Sequence, residues 1–278
     1  MSYKHIVVIL DDSSHSPERL QFALRLAVVH DSHLTALHIS NMPFDPAHSY
    51  ALTQPVYSQY LEVMAARQQQ AHDEFVTLLK TAGLRHDWQG SNSYNSNAAI
   101  AFTRCADLII VGQHDAHDAT SYLDDSFLSQ LLIKAGRPVL IIPRFAEPAA
   151  HFATILIAWD GGRNAARAVA DALPLLRRAE RIMVLTVAAA HHDSQTAPLP
   201  LPNIVDFLSQ HQLHAEMINS DAQVSVGAWL LDRAEGLDLK ADLIVAGAGG
   251  SSLLKDFSLG GVTRFLLHKS CIPLLMSN

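Results

Sequence analysis

Four glycines late in the chain, Gly247, Gly250, Gly260 and Gly261, follow the spacing G-x2-G-x9-G-G and stand directly before a predicted helix that opens near Val262. Glycine lets a backbone amide approach a phosphate oxygen and take a positive φ. A helix N-terminus adds N–H groups that have no intrahelical partner, at the positive end of the helix dipole. Together these features suit the holding of an anion. Thr263 adds a hydroxyl in the first helical turn, and Lys255 is a loop cation that either reaches a phosphate or is simply solvated. Asp160, at the end of an earlier apolar run, can accept a hydrogen bond from an amino group or a sugar hydroxyl. Val187, at the end of the next run, offers backbone contacts to a base. Glycines alone would equally describe a turn and a helix cap. Their place after a buried strand, together with the aspartate, favours a site.

These residues need elements to position them. In the first half, apolar runs at Lys4–Leu10, Leu34–Ile39, Leu84–Gln89, Asp107–Val111 and Val139–Ile142 read as strands. Helical periodicity falls between them, from Ser16 with Pro17 at its first turn, over Ser58–Ala82, over Asn97–Cys105 and over Phe127–Ala135. Asn41–Tyr57, with three prolines and three aromatics, reads as a long loop. After a short linker at Phe145–His151 the pattern restarts. Strands are expected at Thr154–Trp159, Arg181–Val187, His214–Asn219, Leu243–Ala246 and Ile272–Met276. Helices are expected at Ala165–Arg178, Ile204–Gln210, Val224–Glu235 and Val262–His268. Strand and helix alternate, which implies parallel sheets covered by helices on both faces.

The chain also repeats itself. Ala106–Gly112 reads ADLIIVG and Ala241–Gly247 reads ADLIVAG, and each glycine is followed at the same interval by a proline, Pro138 or Pro273, opening a last strand. HIVVILDD, with Asp11, matches TILIAWDG, with Asp160. The copies differ at the glycine loop. The first half has GQHDAHDATSYLDDSF, with Asp115 and Asp125 at two of the glycine positions and Ser126 at the slot that Gly261 fills. Asp115, Asp118, Asp124 and Asp125 would surround a phosphate with like charge, so no triphosphate is expected there.

With these residues in view, the second half resembles a universal stress protein domain. That family carries G-x2-G-x9-G-[S/T] after its fourth strand and an aspartate after its first. Asp160, Gly247, Gly250 and Gly260 match, and Gly261 departs by losing the hydroxyl while keeping the amide. The resemblance extends over both halves. It implies an α/β fold of two tandem five-stranded parallel-sheet domains, strand order 3-2-1-4-5, similar to the adenine nucleotide alpha hydrolases. The domains would span 1–145, with a degenerate site, and 151–278. It also implies ATP or a related adenine nucleotide as ligand, with Mg²⁺ as a companion, held by Asp160, Val187, Gly247, Gly250, Gly260, Gly261, Val262 and Thr263. The role implied is regulatory, in the stress response. Last strands commonly pair between domains in this family, so the strands at Val139 and Ile272 are candidates for a pseudo-twofold contact within the chain, and a homodimer would be the intermolecular counterpart.

Bulk properties narrow the partners. A net charge of −7 argues against a general nucleic-acid or anionic-membrane surface. The two cysteines, Cys105 and Cys271, have no metal-ligand spacing and fit a reducing cytoplasm. The chain passes from Met1 into a strand without a basic and apolar leader, and no apolar run approaches the ~20 residues of a membrane helix. A soluble cytoplasmic protein is expected. The 16 histidines raise a metal reading at His114, Asp115, His117 and Asp118, or at His191, His192 and Asp193. Neither has two ligands on one helical face, and solvated loops are the better reading. Ser13 and Ser14 have no histidine placed as a base. Asn164 is expected to cap the helix that follows Asp160, and Trp159 to be core or pocket wall. Two other functions fit the same residues. One is a slow nucleotide hydrolase using Asp160 and Asp256. The other is a scaffold with no nucleotide site that uses Ala197–Val205 and Asn41–Tyr57 to hold a partner or a hydrophobic ligand.

Overall fold

The structure, a computed structural model, describes residues 2–40, 54–80, 82–91, 96–115, 117–118, 124–144, 151–187, 203–220, 225–236, 238–249 and 259–278. They fall into two compact units, 2–150 and 151–278.

The first unit runs β1 (His5–Leu10), α1 (Ser16–His30), β2 (His33–Ile39), α2 (Gln54–Leu79), β3 (His86–Ser91), α3 (Ser96–Phe102) with a 3₁₀ turn at Thr103–Cys105, β4 (Leu108–Gly112), α4 (Asp125–Lys134) and β5 (Val139–Ile142). Its strand order is β3-β2-β1-β4-β5, and every pair is parallel. The second unit runs β6 (Thr154–Trp159), α5 (Arg163–Leu176), β7 (Arg181–Val187), α6 (Ile204–Gln210), β8 (Glu216–Ser220), α7 (Val226–Glu235), β9 (Leu243–Gly247), α8 (Gly261–Lys269) and β10 (Leu274–Ser277). Its order, β8-β7-β6-β9-β10, is the same arrangement, again wholly parallel. Right-handed crossovers put helices on both faces of such a sheet. Its central strands must then be apolar on both sides, and β4 is buried at every position. In each unit the chain direction across the sheet reverses between the first and fourth strands. That reversal opens a crevice at their carboxyl ends.

The expected elements are present, with boundaries set by pairing. β3 and β8 begin two residues later than the apolar runs suggest, because pairing starts at Leu34 with His86 and at Met183 with Glu216. α2 begins at Gln54, inside the stretch read as a loop: Pro55 falls in its first turn, where its missing N–H costs nothing. The remainder of that loop, 41–53, lies outside the described residues. Ser16 does not cap α1. His15 is the N-cap residue, and the Ser16 hydroxyl instead accepts from the Asp11 amide at 3.2 Å.

The repeated aspartate of the two ADLI segments has a structural purpose. Asp107 Oδ2 accepts from the amides of Lys4 and His5, at 2.7 and 3.0 Å. Asp242 Oδ2 accepts from the Thr154 amide at 2.8 Å. Each ties the start of a unit's first strand to the start of its fourth. Replacing Asp107 by Ala should lower the urea midpoint by an amount corresponding to about 1 kcal/mol, with an unchanged slope. Asp242→Ala should behave alike. No shift in either midpoint would show that these bonds add nothing over water.

Candidate functional site

In the second unit the crevice lies where β6 and β9 run side by side, with Ala158 paired to Ala246. Asp160 follows β6 directly and is exposed. Its Oδ1 accepts from the Gly162 amide at 2.8 Å, closing a turn in which Gly161 has φ +73°. Gly162 is the N-cap of α5 and has no side chain with which to satisfy the first-turn amides. A Cβ on Gly247 would lie 2.6 Å from the Ala165 nitrogen and 2.7 Å from the Asn164 carbonyl carbon. Only glycine lets β9 end so close to the first turn of α5. Asn164 is not a cap, as the sequence suggested. Its Nδ2 donates to the Ala248 carbonyl at 2.7 Å and braces the loop that leaves β9.

That loop also meets α8. Gly249, with φ +155°, donates its amide toward Thr263 Oγ1 at 3.5 Å, and Thr263 is buried. Gly260 is the N-cap of α8 and, having no side chain, leaves the first-turn amides uncapped. A Cβ on Gly261 would meet nothing within 4 Å, and Val262 is exposed. Among the described residues, two helix N-termini without a side-chain cap therefore converge on the stretch Gly247–Gly249, each with the positive end of its dipole there. Of the residues singled out in the sequence, Asp160, Gly247, Gly260, Gly261, Val262 and Thr263 are gathered around this point. Val187 ends β7, one position beyond the pairing of Thr186 with Trp159. Gly250, Lys255 and Asp256 lie outside the described residues.

Beside Asp160 is a feature the sequence did not single out. Trp159, Gly161, Ala166, Val169, Ile204 and Phe207 line a largely apolar cavity of about 280 Å³ between α5 and α6. Its walls come from three elements far apart in sequence, which is why no local pattern announces it. Trp159 is thus a pocket wall.

The first unit has the same crevice, filled by its own side chains. Arg19, from α1, lies in it and is almost wholly buried. Its Nη2 is 3.0 Å from Asp11 Oδ1, and its Nη1 donates to the Ile9 carbonyl at 2.9 Å. The Ser13 hydroxyl donates to the same Asp11 oxygen at 2.6 Å. A Cβ on Gly112 would come within 2.9 Å of the guanidinium carbon. The corresponding α5 residue is Ala168. The sequence places Asp115, Asp118, Asp124 and Asp125 around a phosphate, the reason no triphosphate is expected here; the structure shows where these acids go. Asp115 is bound by Arg144 at 2.6 Å. Asp118 accepts from the Ser14 amide and hydroxyl at 3.1 and 3.3 Å. Asp124 caps α4 by accepting from the Phe127 amide at 2.6 Å. Asp125 and Ser126 belong to the first turn of α4, and Ser126 accepts from Gln130. The acids are satisfied within the protein, and the crevice holds a guanidinium. An arginine on the buried stripe of α1, between Ser16 and Leu20, was the signal for it.

For the histidine loops, Asp115 and Asp118 are committed to Arg144 and Ser14. Among the described residues no group of three His, Cys, Asp or Glu could hold a metal ion. His191, His192 and Asp193 lie outside the described residues.

The Arg19–Asp11 pair should be expensive to break from one side. Arg19→Ala leaves a buried carboxylate unpaired and should destabilise the chain by about 3–5 kcal/mol, whereas Arg19→Leu combined with Asp11→Asn should recover most of the loss. Chemical denaturation of the two variants beside wild type checks this, and equal stability for the single and double variants would contradict it. Asp115 adds a pH dependence. Its carboxyl is held below the usual carboxylate range, first by the His117 amide and then by Arg144. A folded pKa below the unfolded one contributes stability that is complete above the unfolded value and is lost as pH falls through the folded one. The wild-type denaturation midpoint should therefore fall more steeply than that of Asp115→Asn from about pH 5 to about pH 2. Parallel curves would remove Asp115 from the account.

Among curated proteins no sequence matches the chain. Solved structures share the fold. A universal stress protein from Archaeoglobus fulgidus DSM 4304 aligns with 98% of this chain and 97% of its own, at 14% identity and a TM-score of 0.70. A functionally unknown protein from Pseudomonas aeruginosa PAO1 covers 99% of this chain and 92% of its own, at 17% identity and a TM-score of 0.62. In sequence, the pattern of the universal stress protein family matches residues 2–143 and again residues 151–278. The repeated crevice and its two different fillings thus belong to a chain that carries this family's domain twice: the protein is a member of the universal stress protein family.

Proposed function

We propose that the second unit binds an adenine nucleotide of the ATP type and that the chain acts in the cytoplasmic stress response as a regulator rather than a catalyst. The observation that carries this reading is the convergence of the α5 and α8 N-termini, both capped by glycine, on the Gly247–Gly249 stretch. The phosphates fit there. The amides of Gly261, Val262 and Thr263 face no capping side chain, and the space at Gly261 is open. Gly247 brings no side chain to the end of β9. The base fits the apolar cavity walled by Trp159, Ile204 and Phe207, whose volume of about 280 Å³ exceeds that of a purine. Asp160, one oxygen already engaged by Gly162, offers the other to a ribose hydroxyl or an amino group, and the backbone of Val187 stands one position further along β7. Mg²⁺, where it accompanies the nucleotide, would come with the phosphates. Among the described residues the start of α8 carries no acid or base to activate water, and Asp160 is tied into a turn. Binding would then be read out through shape, by association with a partner protein.

Isothermal titration should show one ATP per chain with a dissociation constant below ~1 mM, equivalent to about −4 kcal/mol. Gly261→Asp places a carboxylate at the α8 N-terminus without a steric clash and should weaken binding at least about tenfold. Phosphate release should not exceed that of an Asp160→Ala control. Absence of heat with ~1 mM ATP would end this reading and leave the scaffold role in front.

A further inference from the structure

The first turn of a helix favours acids, because their charge meets the positive end of the dipole. α1, α4 and α6 each carry one there, Glu18, Asp125 and Asp206. α5 carries none, and its first residue is a cation, Arg163. A cation so placed opposes the dipole unless an anion joins it.

The repeat shows what stands at this place in the first unit. Asp11 matches Asp160, so Ser14 matches Arg163. The Ser14 amide and hydroxyl both donate to Asp118 Oδ2, at 3.1 and 3.3 Å. There the chain's own carboxylate is the anion. In the second copy Asp118 is matched by Leu253, which carries no charge, and the residue it would meet has become an arginine.

Arg163 is tied to the glycine stretch through its neighbour. Its Nε donates to Asn164 Oδ1 at 3.3 Å, and Asn164 Nδ2 donates to the Ala248 carbonyl at 2.7 Å. One amide group thus separates the guanidinium from Gly247–Gly249. Arg163 is exposed, and among the described residues its two Nη groups have no partner. Asp160, three residues earlier, turns to the Gly162 amide instead.

We propose that, on the nucleotide reading given above, Arg163 pairs with the phosphate chain and makes the second unit's site rank adenine nucleotides by their phosphate charge. A guanidinium presents two parallel N–H groups to two phosphate oxygens. The crevice lacks another such donor, since Gly261 brings no hydroxyl to the slot where Ser126 stands in the first copy.

The test is isothermal titration of the full chain with ATP, AMP and adenosine. Wild type is compared with Arg163→Gln, Arg163→Lys and Arg167→Gln. The last removes an exposed charge one turn along α5, where Arg167 pairs with Asp171 at 2.8 Å. Arg163→Gln should weaken ATP binding at least about tenfold, weaken AMP binding less, and leave adenosine unchanged. Arg163→Lys should recover part of the loss, because it keeps the charge but not the fork. Arg167→Gln should bind ATP as wild type does. Without nucleotide, Arg163→Gln should unfold at a temperature no lower than wild type, since a cation has left a helix N-terminus. No ATP binding by wild type would end the nucleotide reading and this role with it. ATP binding of equal strength in wild type and Arg163→Gln would overturn the role of Arg163 alone. So would an equal loss in Arg167→Gln or for adenosine, or a lower unfolding temperature for nucleotide-free Arg163→Gln. Should Arg163→Gln not fold, Arg163→Lys decides: a ratio of ATP to AMP affinity equal to that of wild type would overturn the proposal.

Discussion

Residue 247 lies where a strand end and a helix start are closer than a methyl group permits. Everything at the second unit's crevice follows from that approach. With β9 pressed on the first turn of α5, Asn164 reaches Ala248, the chain turns through Gly249 at a φ open only to glycine, and Thr263 at the start of α8 comes within reach. Parallel sheets of this order leave a gap between their first and fourth strands in any case. Gly247 determines that the gap is bordered by backbone amides rather than side chains.

The first unit uses the same glycine differently. Gly112 also has no room for a Cβ, but its neighbour is the guanidinium of Arg19 rather than helix backbone. At the place of Ala168, α1 carries Arg19, and the crevice of the first unit holds an internally satisfied cluster. The aspartates of the following loop then fall into place as partners of Arg144, Ser14 and the α4 amides. Fold and crevice contents are separable here: each unit keeps five parallel strands in the same order, and the crevices differ in the side chains that enter them.

Strand and helix alternation, the repeat, and the glycine spacing were legible because each is a local pattern. β5, β6, β7 and α6 begin and end where the apolar runs do. Pairing was not legible, and the edge strands β3 and β8 start where a neighbour permits rather than where hydrophobicity rises. Asn164 looked like a cap because capping is the commoner use of asparagine before a helix, and its true partner is 84 residues away. Arg19 could have been noticed as a cation on a buried stripe, yet its partner, Asp11, was already assigned to a ligand. The cavity between α5 and α6 was invisible for a simple reason. Its wall is assembled from three elements, and no run of sequence contains the wall.

The buried guanidinium gives the two copies different thermodynamic dependences. A domain that carries its own counter-ion, as Arg19 does for Asp11, does not need one from solution at that place. A domain whose cradle is left to outside molecules would gain stability by mass action, in proportion to the logarithm of their concentration. On the nucleotide reading proposed for the second unit, the two copies would therefore differ in how their stabilities answer to that one ligand.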